Sequence, residues 1–278
     1  IIRDYIYQPN GLFVHNVQAG NFFTGIIVAI LVGIVIFGGI KRIAKVASKL
    51  VPTMVGVYLI FALFILFNNL TKIPSVFYLI LYDAFNGDAV LGGTLGSMII
   101  IGVRRGLFSN EAGTGTETMA HGAAKTSEPI REGLVAMLGP FIDTIVVCSI
   151  TAFVILISGV DIQSLNGVTL TTKAFETEFG LIGYIILILA VLTFSLSTMF
   201  GYSYYGRKCV SYLFGTKWKD IYNWVYILMI IIASMTSIDI AVNFMDSAFA
   251  LMVIPTMTGS LLLAPKVIEE ANRYFSKL

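Results

Sequence analysis

Residues 21–40 carry no charge and consist mostly of Ile, Val, Phe and Gly. A run of that length is what an α-helix needs to cross about 30 Å of hydrocarbon. Backbone in lipid must satisfy its own hydrogen bonds, so such a run restricts the chain to membrane helices. Comparable runs recur at 51–68, 133–157, 180–202, 221–238 and 248–263. Charged residues make up only 12% of the 278 positions, against about a quarter in soluble domains. The chain therefore reads as an all-α integral membrane protein. Its formal charge of +2 gives no reason to expect a nucleic-acid partner. Cys148 and Cys209 lie in or beside apolar runs without metal-site or disulfide spacing, and read as packing residues.

Basic residues orient the spans. KRIAKVASK, residues 41–49, holds four cations and no acid, which places it in the cytoplasm. Pro52 then opens the next span, where a missing N–H costs nothing. Residues 75–85 form an apolar stretch too short to span, expected to lie at the outer surface. Residues 92–125 must return the chain in two pieces, apolar 95–103 and small-residue 114–124, with a polar break at 108–113. That pattern predicts a discontinuous helix. The later loops alternate, with Lys125, Arg131, Arg207, Lys208, Lys217, Lys219, Lys266, Arg273 and Lys277 inside. Asp161, Glu176, Glu178, Asp239 and Asp246 fall in loops expected outside, and the C-terminus is expected in the cytoplasm.

The break concentrates chemistry in apolar surroundings. LFSNEAGTGTETMAHGAAK contains Ser109, Asn110, Glu111, Thr114, Thr116, Glu117 and His121 among Gly106, Gly113 and Gly115. Interrupting a membrane helix exposes N–H groups on one half and carbonyls on the other, with opposite partial charge. A zwitterion suits that pair of ends. Its carboxylate would meet the N–H groups near Gly113, Thr114, Gly115 and Thr116, and its ammonium the carbonyls near Phe108, Ser109 and Asn110, flanked by Glu111 and Ala112. The competing reading is an ordinary polar loop at the cytoplasmic surface. Glu111 and Glu117 are either membrane-embedded acids serving a cation or proton, or counter-ions for Arg104 and Arg105. His121 shares a helical face with Glu117 and reads as a hydrogen-bonded packing residue, not as a transition-metal ligand. Asp143 reads as a partner of Arg104 or Arg105, because an unpaired carboxylate there is costly.

A second oxygen-rich patch lies in TFSLSTMFG. The hydroxyls of Ser197 and Thr198 stand three and four residues after the Phe194 carbonyl, on one face. If that carbonyl is loosened from its helical bond, the three oxygens form part of a cage for a hard cation such as sodium. Hydroxyls bonding between helices are common, and on the residues alone that is the preferred account of the pair.

The segment RRGLFSNEAGTGTETMAHGAAKTSEPIREGLVAMLGPFIDTIVVC resembles the signature region of the alanine or glycine:cation symporter family. GGIKRIAKVASKLVP and GYSYYGRKC resemble other segments of that family, in the same order. The resemblance runs from about residue 26 to the C-terminus. It implies a five-plus-five inverted-repeat fold of the leucine-transporter type, of which this chain would be the C-terminal portion, with about seven transmembrane segments. On that reading 1–20 is an outer loop and 21–69 holds two helices of the first repeat. Residues 70–91 form an outer loop with a short helix, 92–264 the second repeat including the broken helix 92–125, and 265–278 a cytoplasmic tail.

The implied activity is sodium-coupled symport of alanine or glycine across a bacterial or archaeal cytoplasmic membrane, without enzymatic chemistry or an organic cofactor. The implied substrate site is Phe108 to Thr116, and the implied cation site is Phe194, Ser197 and Thr198. One departure is Gly115, Thr116, Glu117, Thr118, where the family pattern has a Gly-Ser-Ala-Pro run. Another is the lack of upstream helices, so the chain alone is not expected to transport. Rival classes are a channel, and an intramembrane hydrolase built on Ser109, His121 and Asp143.

Overall fold

A computed structural model describes residues 7, 11–13, 16–85, 94–111, 113–161, 165 and 167–277. Most of the described residues are helical and the rest are turns, bends or irregular, with no strand among them. In chain order the helices are α1 (Val17–Ile36), α2 (Gly39–Asn68), α3 (Ile73–Phe85), α4 (Thr94–Ser109) and α5 (Thr116–His121). They continue as α6 (Pro129–Ser158), α7 (Val168–Phe179), α8 (Leu181–Phe214), α9 (Lys219–Met235) and α10 (Ile238–Phe275). Five of them, α1, α2, α6, α8 and α10, are long and apolar enough to cross a membrane. Their outer surfaces are fatty, with Ile34 53%, Ile60 67%, Leu189 57% and Leu262 77% exposed. In water such faces would seek burial, whereas in a bilayer they meet lipid.

The chain divides into two compact units, Ile1–Phe67 with Val154–Ala241, and Asn68–Phe153 with Val242–Leu278. In the first unit, Asn16 caps α1 by accepting the Ala19 N–H through Oδ1 at 3.0 Å. Small residues at Gly25, Ala29 and Gly33 are buried one turn apart, and they let α9 approach closely. A side chain at Gly25 would run into Ser234 and stand 3.2 Å from the Ile231 Cα, and one at Gly33 would stand 3.2 Å from Ile227. Beside this contact Val32, Val35, Ile36, Ile43, Phe200 and Tyr204 form a buried cluster from α1, α2 and α8. The Tyr226 hydroxyl donates to the Met199 carbonyl at 2.9 Å, fastening α9 to α8.

The structure departs from two expectations about loops. Residues 41–49 are not a loop, because α2 runs unbroken from Gly39 to Asn68 with Pro52 inside it. Nothing between Ile40 and Val51 breaks a helix, and the reversal of the chain is made at Phe37 to Gly39, where Gly39 takes φ +69°. Asp239 and Asp246 lie on α10 and not in a loop. At 1.5 Å per residue α10 is about 57 Å long, more than a bilayer core, so its ends must leave the hydrocarbon. Residues 265–275 are the last turns of α10.

Sequence reading also missed α7. Its Thr172, Ala174 and Phe175 are fully buried, and Phe175 stacks on Tyr58 with ring centroids 5.5 Å apart. Phe179 meets Phe61 and Phe64 at 5.3 and 5.5 Å. Gly167 and Gly180, with φ of +58° and +59°, bound the helix. At Gly183 any side chain would collide with the Phe175 carbonyl, which makes the return into α8 tight.

Candidate functional site

In the second unit the expected break is present. α4 ends at Ser109 with the Asn110 N–H donating to the Gly106 carbonyl at 3.1 Å, and α5 begins only at Thr116. Between them the backbone passes through left-handed geometry at Glu111 (φ +51°), Gly113 (+77°) and Gly115 (+84°). Glycine reaches that region at no steric cost, whereas Glu111 is an uncommon occupant. Such a residue persists only where its surroundings hold it.

Side-chain oxygens hold it here. Thr114 donates through Oγ1 to the Glu111 carbonyl at 2.7 Å and lies 2.9 Å from the Thr116 hydroxyl. Thr116 in turn donates to the Glu111 carboxylate. Thr114 and Thr116 are 5% and 2% exposed, so their two hydroxyls are largely shielded. α5 is six residues long, shorter than the 114–124 expected, and the place in front of it is occupied by the Glu111 carboxylate.

The second partner is α6. Pro140 has no N–H to donate, which interrupts the regular ladder, and Phe141–Cys148 follow as a π-helix. Such stretches are rare and recur at functional sites. The widened turn brings two consecutive side chains onto the break. Asp143 accepts from the Ser109 hydroxyl, and Thr144 donates to Asn110 Oδ1 at 2.9 Å. The expected pairing of Asp143 with an arginine is replaced by this bond. Among the described residues no ion pair joins Asp143 to Arg104 or Arg105.

α10 supplies the third partner. Thr256 donates to its own helix at Met252 and, at 3.3 Å, to the Thr114 carbonyl. A Cβ at Gly115 would stand 3.0 Å from Thr256 Oγ1, and one at Gly113 would meet only the flexible Met257 methyl, so φ is what calls for glycine at both positions, with tight space added at Gly115. A cavity of about 830 Å³ opens beside the break, lined by Thr114, Arg104, Asp246, Asn243, Ser247 and apolar side chains including Leu107 and Phe249. Sequence reading missed Asn243, Ser247 and Thr256 and put Asp246 in a loop. A polar i, i+3, i+4 pattern at 243, 246 and 247 on an apolar helix was the available signal.

Of the residues expected at the substrate site, Ser109, Asn110, Glu111, Gly113, Thr114, Gly115 and Thr116 come together here. Ala112 and the Phe108 side chain lie outside the described residues. His121 bonds through Nδ1 to Glu132 Oε1 at 2.7 Å. Ser109 is bonded to Asp143 and His121 to Glu132, so the serine and histidine of the hydrolase reading are not joined. Among the described residues no group of three His, Cys, Asp or Glu could hold a metal ion.

The second patch lies in the first unit. Ser197 and Thr198 donate to the Phe194 carbonyl at 2.8 and 3.1 Å. α8 runs through the site without interruption, so no unwinding of the helix frees the carbonyl. Three oxygens nonetheless converge on one exposed stretch of helix, with Phe194 53% exposed.

Comparison with known proteins places these features. Residues 7–278 match the model of the sodium:alanine symporter family. The sodium/alanine symporter AgcS of Methanococcus maripaludis is 39% identical over 270 residues, covering 94% of this chain and 59% of that protein. The sodium/proton-dependent alanine carrier protein of Bacillus sp. strain PS3 is 38% identical over 205 residues, 68% of this chain and 46% of the carrier. The probable sodium/glutamine symporter GlnT of Bacillus subtilis is 34% identical over 252 residues, 90% of this chain and 53% of its own length. This chain thus spans about half to three-fifths of the length of these relatives. A match over nearly every residue, in a multi-pass helical membrane protein with a polar helix break, means that the chain belongs to the sodium:alanine symporter family.

Proposed function

We propose that the protein containing this chain is a sodium-coupled symporter of small neutral amino acids, alanine or glycine first, working by alternating access in a five-plus-five inverted-repeat fold. The observation that carries this reading is the glycine-lined break between α4 and α5, closed by Glu111, Thr114 and Thr116 and open to a cavity. Backbone from Phe108 to Thr116 would flank the zwitterion, with Gly113 and Gly115 allowing close approach. Glu111 keeps the break in shape, and its carboxylate, bonded to Thr116 at the start of α5, would give way to the carboxylate of the substrate. Sodium would bind at the Phe194 carbonyl with Ser197 and Thr198, exchanging their mutual bonds for ion contacts. Hard oxygen ligands suit that ion. The residue order, the family and the names of two alanine-carrying relatives support the assignment.

A second reading, a larger neutral substrate such as glutamine, is favoured by the size of the cavity, about 830 Å³, and by the relative GlnT. Uptake of labelled alanine, glycine and glutamine into proteoliposomes, with an inward sodium gradient or with potassium in its place, tests both. Sodium-driven, saturable alanine or glycine uptake is expected. Preference for glutamine would replace the substrate, and non-saturating flux of ions alone would make the protein a channel.

A further inference from the structure

A second cavity, in the first unit and remote in sequence from the break, has the opposite character. Its volume is about 430 Å³, and Lys41, Arg207, Lys208 and Lys219 line it together with Tyr204 and Ser211. The four cations come from three helices, α2, α8 and α9, so tertiary folding and not a single charged run assembles them. Asp220, 66% exposed and 3.7 Å from Arg207, is the acid within ion-pair reach among the described residues. Lys208 sits 5.7 Å from the centre of the Tyr204 ring, which is 9% exposed and so forms a firm wall. The reversal at Gly38 and Gly39 closes the cavity on the α2 side. Four like charges around one small space repel one another unless an anion enters.

The depth of the cavity identifies the anion. The protein has two tryptophans, and both flank it. Trp218 immediately precedes Lys219, is 51% exposed and lies 6.4 Å from the Phe214 ring. Trp224 is 65% exposed and packs at 4.9 Å on Phe37, the residue before Gly38. Exposed Trp and Tyr mark the level of lipid headgroups, where an amphipathic ring meets both phases. Tyr212, 89% exposed, follows Ser211 at the same level. On the preceding turns of α1, Ile34 and Leu31 are exposed apolar side chains, at 53% and 46%. A soluble anion would find the cavity too, but the aromatic surround fits a phosphate attached to acyl chains.

We propose that this cavity binds the phosphate of an anionic phospholipid headgroup, with Arg207 and Lys208 as its principal ligands and Lys41 and Lys219 completing the charge. The lipid would clamp the turn between α1 and α2 to the ends of α8 and α9. Basic pockets between membrane helices hold such headgroups through charge-assisted hydrogen bonds.

The test uses the protein expressed in full, reconstituted in nanodiscs of equal phosphatidylglycerol and phosphatidylcholine, then released for native mass spectrometry. Preferential retention of phosphatidylglycerol is expected. Arg207→Gln with Lys208→Gln should weaken it about twenty-fivefold, taking about fivefold for each basic side chain near a charged lipid surface. Arg207→Lys should keep most of it, and Arg131→Gln with Lys266→Gln, the same charge change elsewhere, should leave it unchanged. If the first pair disturbs folding, judged by tryptophan emission and monodispersity, Lys41→Gln with Lys219→Gln must show the loss instead. Equal retention of phosphatidylglycerol by wild type and a folded cavity variant would overturn the proposal. Displacement of the lipid by millimolar inorganic phosphate alone would overturn a lipid as the source of the anion.

Discussion

The break at 109–116 and the patch at 194–198 contain the same residue types, yet they satisfy their oxygens differently. Around the break, hydroxyls and amides reach across 34 residues to α6 and 142 residues to α10. At Ser197 and Thr198 both hydroxyls return to a carbonyl three and four residues earlier on the same helix. A break in a helix leaves backbone groups that only tertiary partners can satisfy, and those partners then become part of the fold. A continuous helix spends its own backbone bonds, so its hydroxyls are held loosely and can be redirected to a ligand. The first region should therefore fail structurally when altered, and the second functionally.

The largest effect is expected at Gly115. A valine there would need φ +84° and would press on Thr256, so it should cost at least about 1–2 kcal/mol from the left-handed backbone alone, with more from the contact. Loss of uptake together with a clear fall in melting temperature is expected. A stable and active Gly115→Val would mean that the break is not held as described.

Asp143→Ala comes next, because it removes the acceptor of Ser109 on a helix long and apolar enough to cross a membrane. A loss of about 1–3 kcal/mol is expected in chemical unfolding, with Ser109→Ala, Asp143→Ala no worse than Asp143→Ala alone. Additive single effects would show that the two side chains do not act together. This cycle measures how far the break depends on its long-range bonds.

Ser197→Ala with Thr198→Ala should behave in the opposite way. Stability should change by no more than about 0.5 kcal/mol, since the backbone ladder of α8 is intact. The sodium concentration for half-maximal uptake should rise about tenfold or more, which corresponds to about 1.4 kcal/mol of binding. An unchanged sodium response would remove the cation site, and strong destabilisation would erase the contrast between the two regions.

The smallest change is expected where a long-range contact lies at the surface. Arg273 reaches Glu128 at 3.0 Å, with Lys277 at 3.6 Å from the same carboxylate. Glu128→Gln should cost about 0–1 kcal/mol, less at high salt, because exposed ion pairs are screened. A loss as large as that of Asp143→Ala would show that the place of Asp143 on a membrane-spanning helix adds nothing to its bond.

Much of this was legible in residue order. The apolar runs located α1, α8 and α9, and the density of Gly, Ser, Asn and Thr located the break to within a few residues. What stayed hidden has a common cause. Lys41 to Lys49 looked like a loop because charge marks the membrane surface, but charge does not stop a helix, and α2 continues through it. α7 was missed because its apolar residues are buried against Tyr58, Phe61 and Phe64 in a segment with ordinary loop polarity. Asp143 was assigned to an arginine on charge alone. The π-helical turn that delivers it to Ser109 follows from a register shift after Pro140, which has no reliable signature in composition.

By itself the sequence determined that the chain is a helical membrane protein, which family its motifs match and where the helix must break, because hydropathy, charge and glycine spacing act locally. The tertiary structure alone decided which groups answer the exposed backbone at that break. It also brought cations from three helices around one cavity between the two tryptophans. Those outcomes depend on helix approach and rotation, which small residues such as Gly25, Gly33, Gly113 and Gly115 permit but do not by themselves specify.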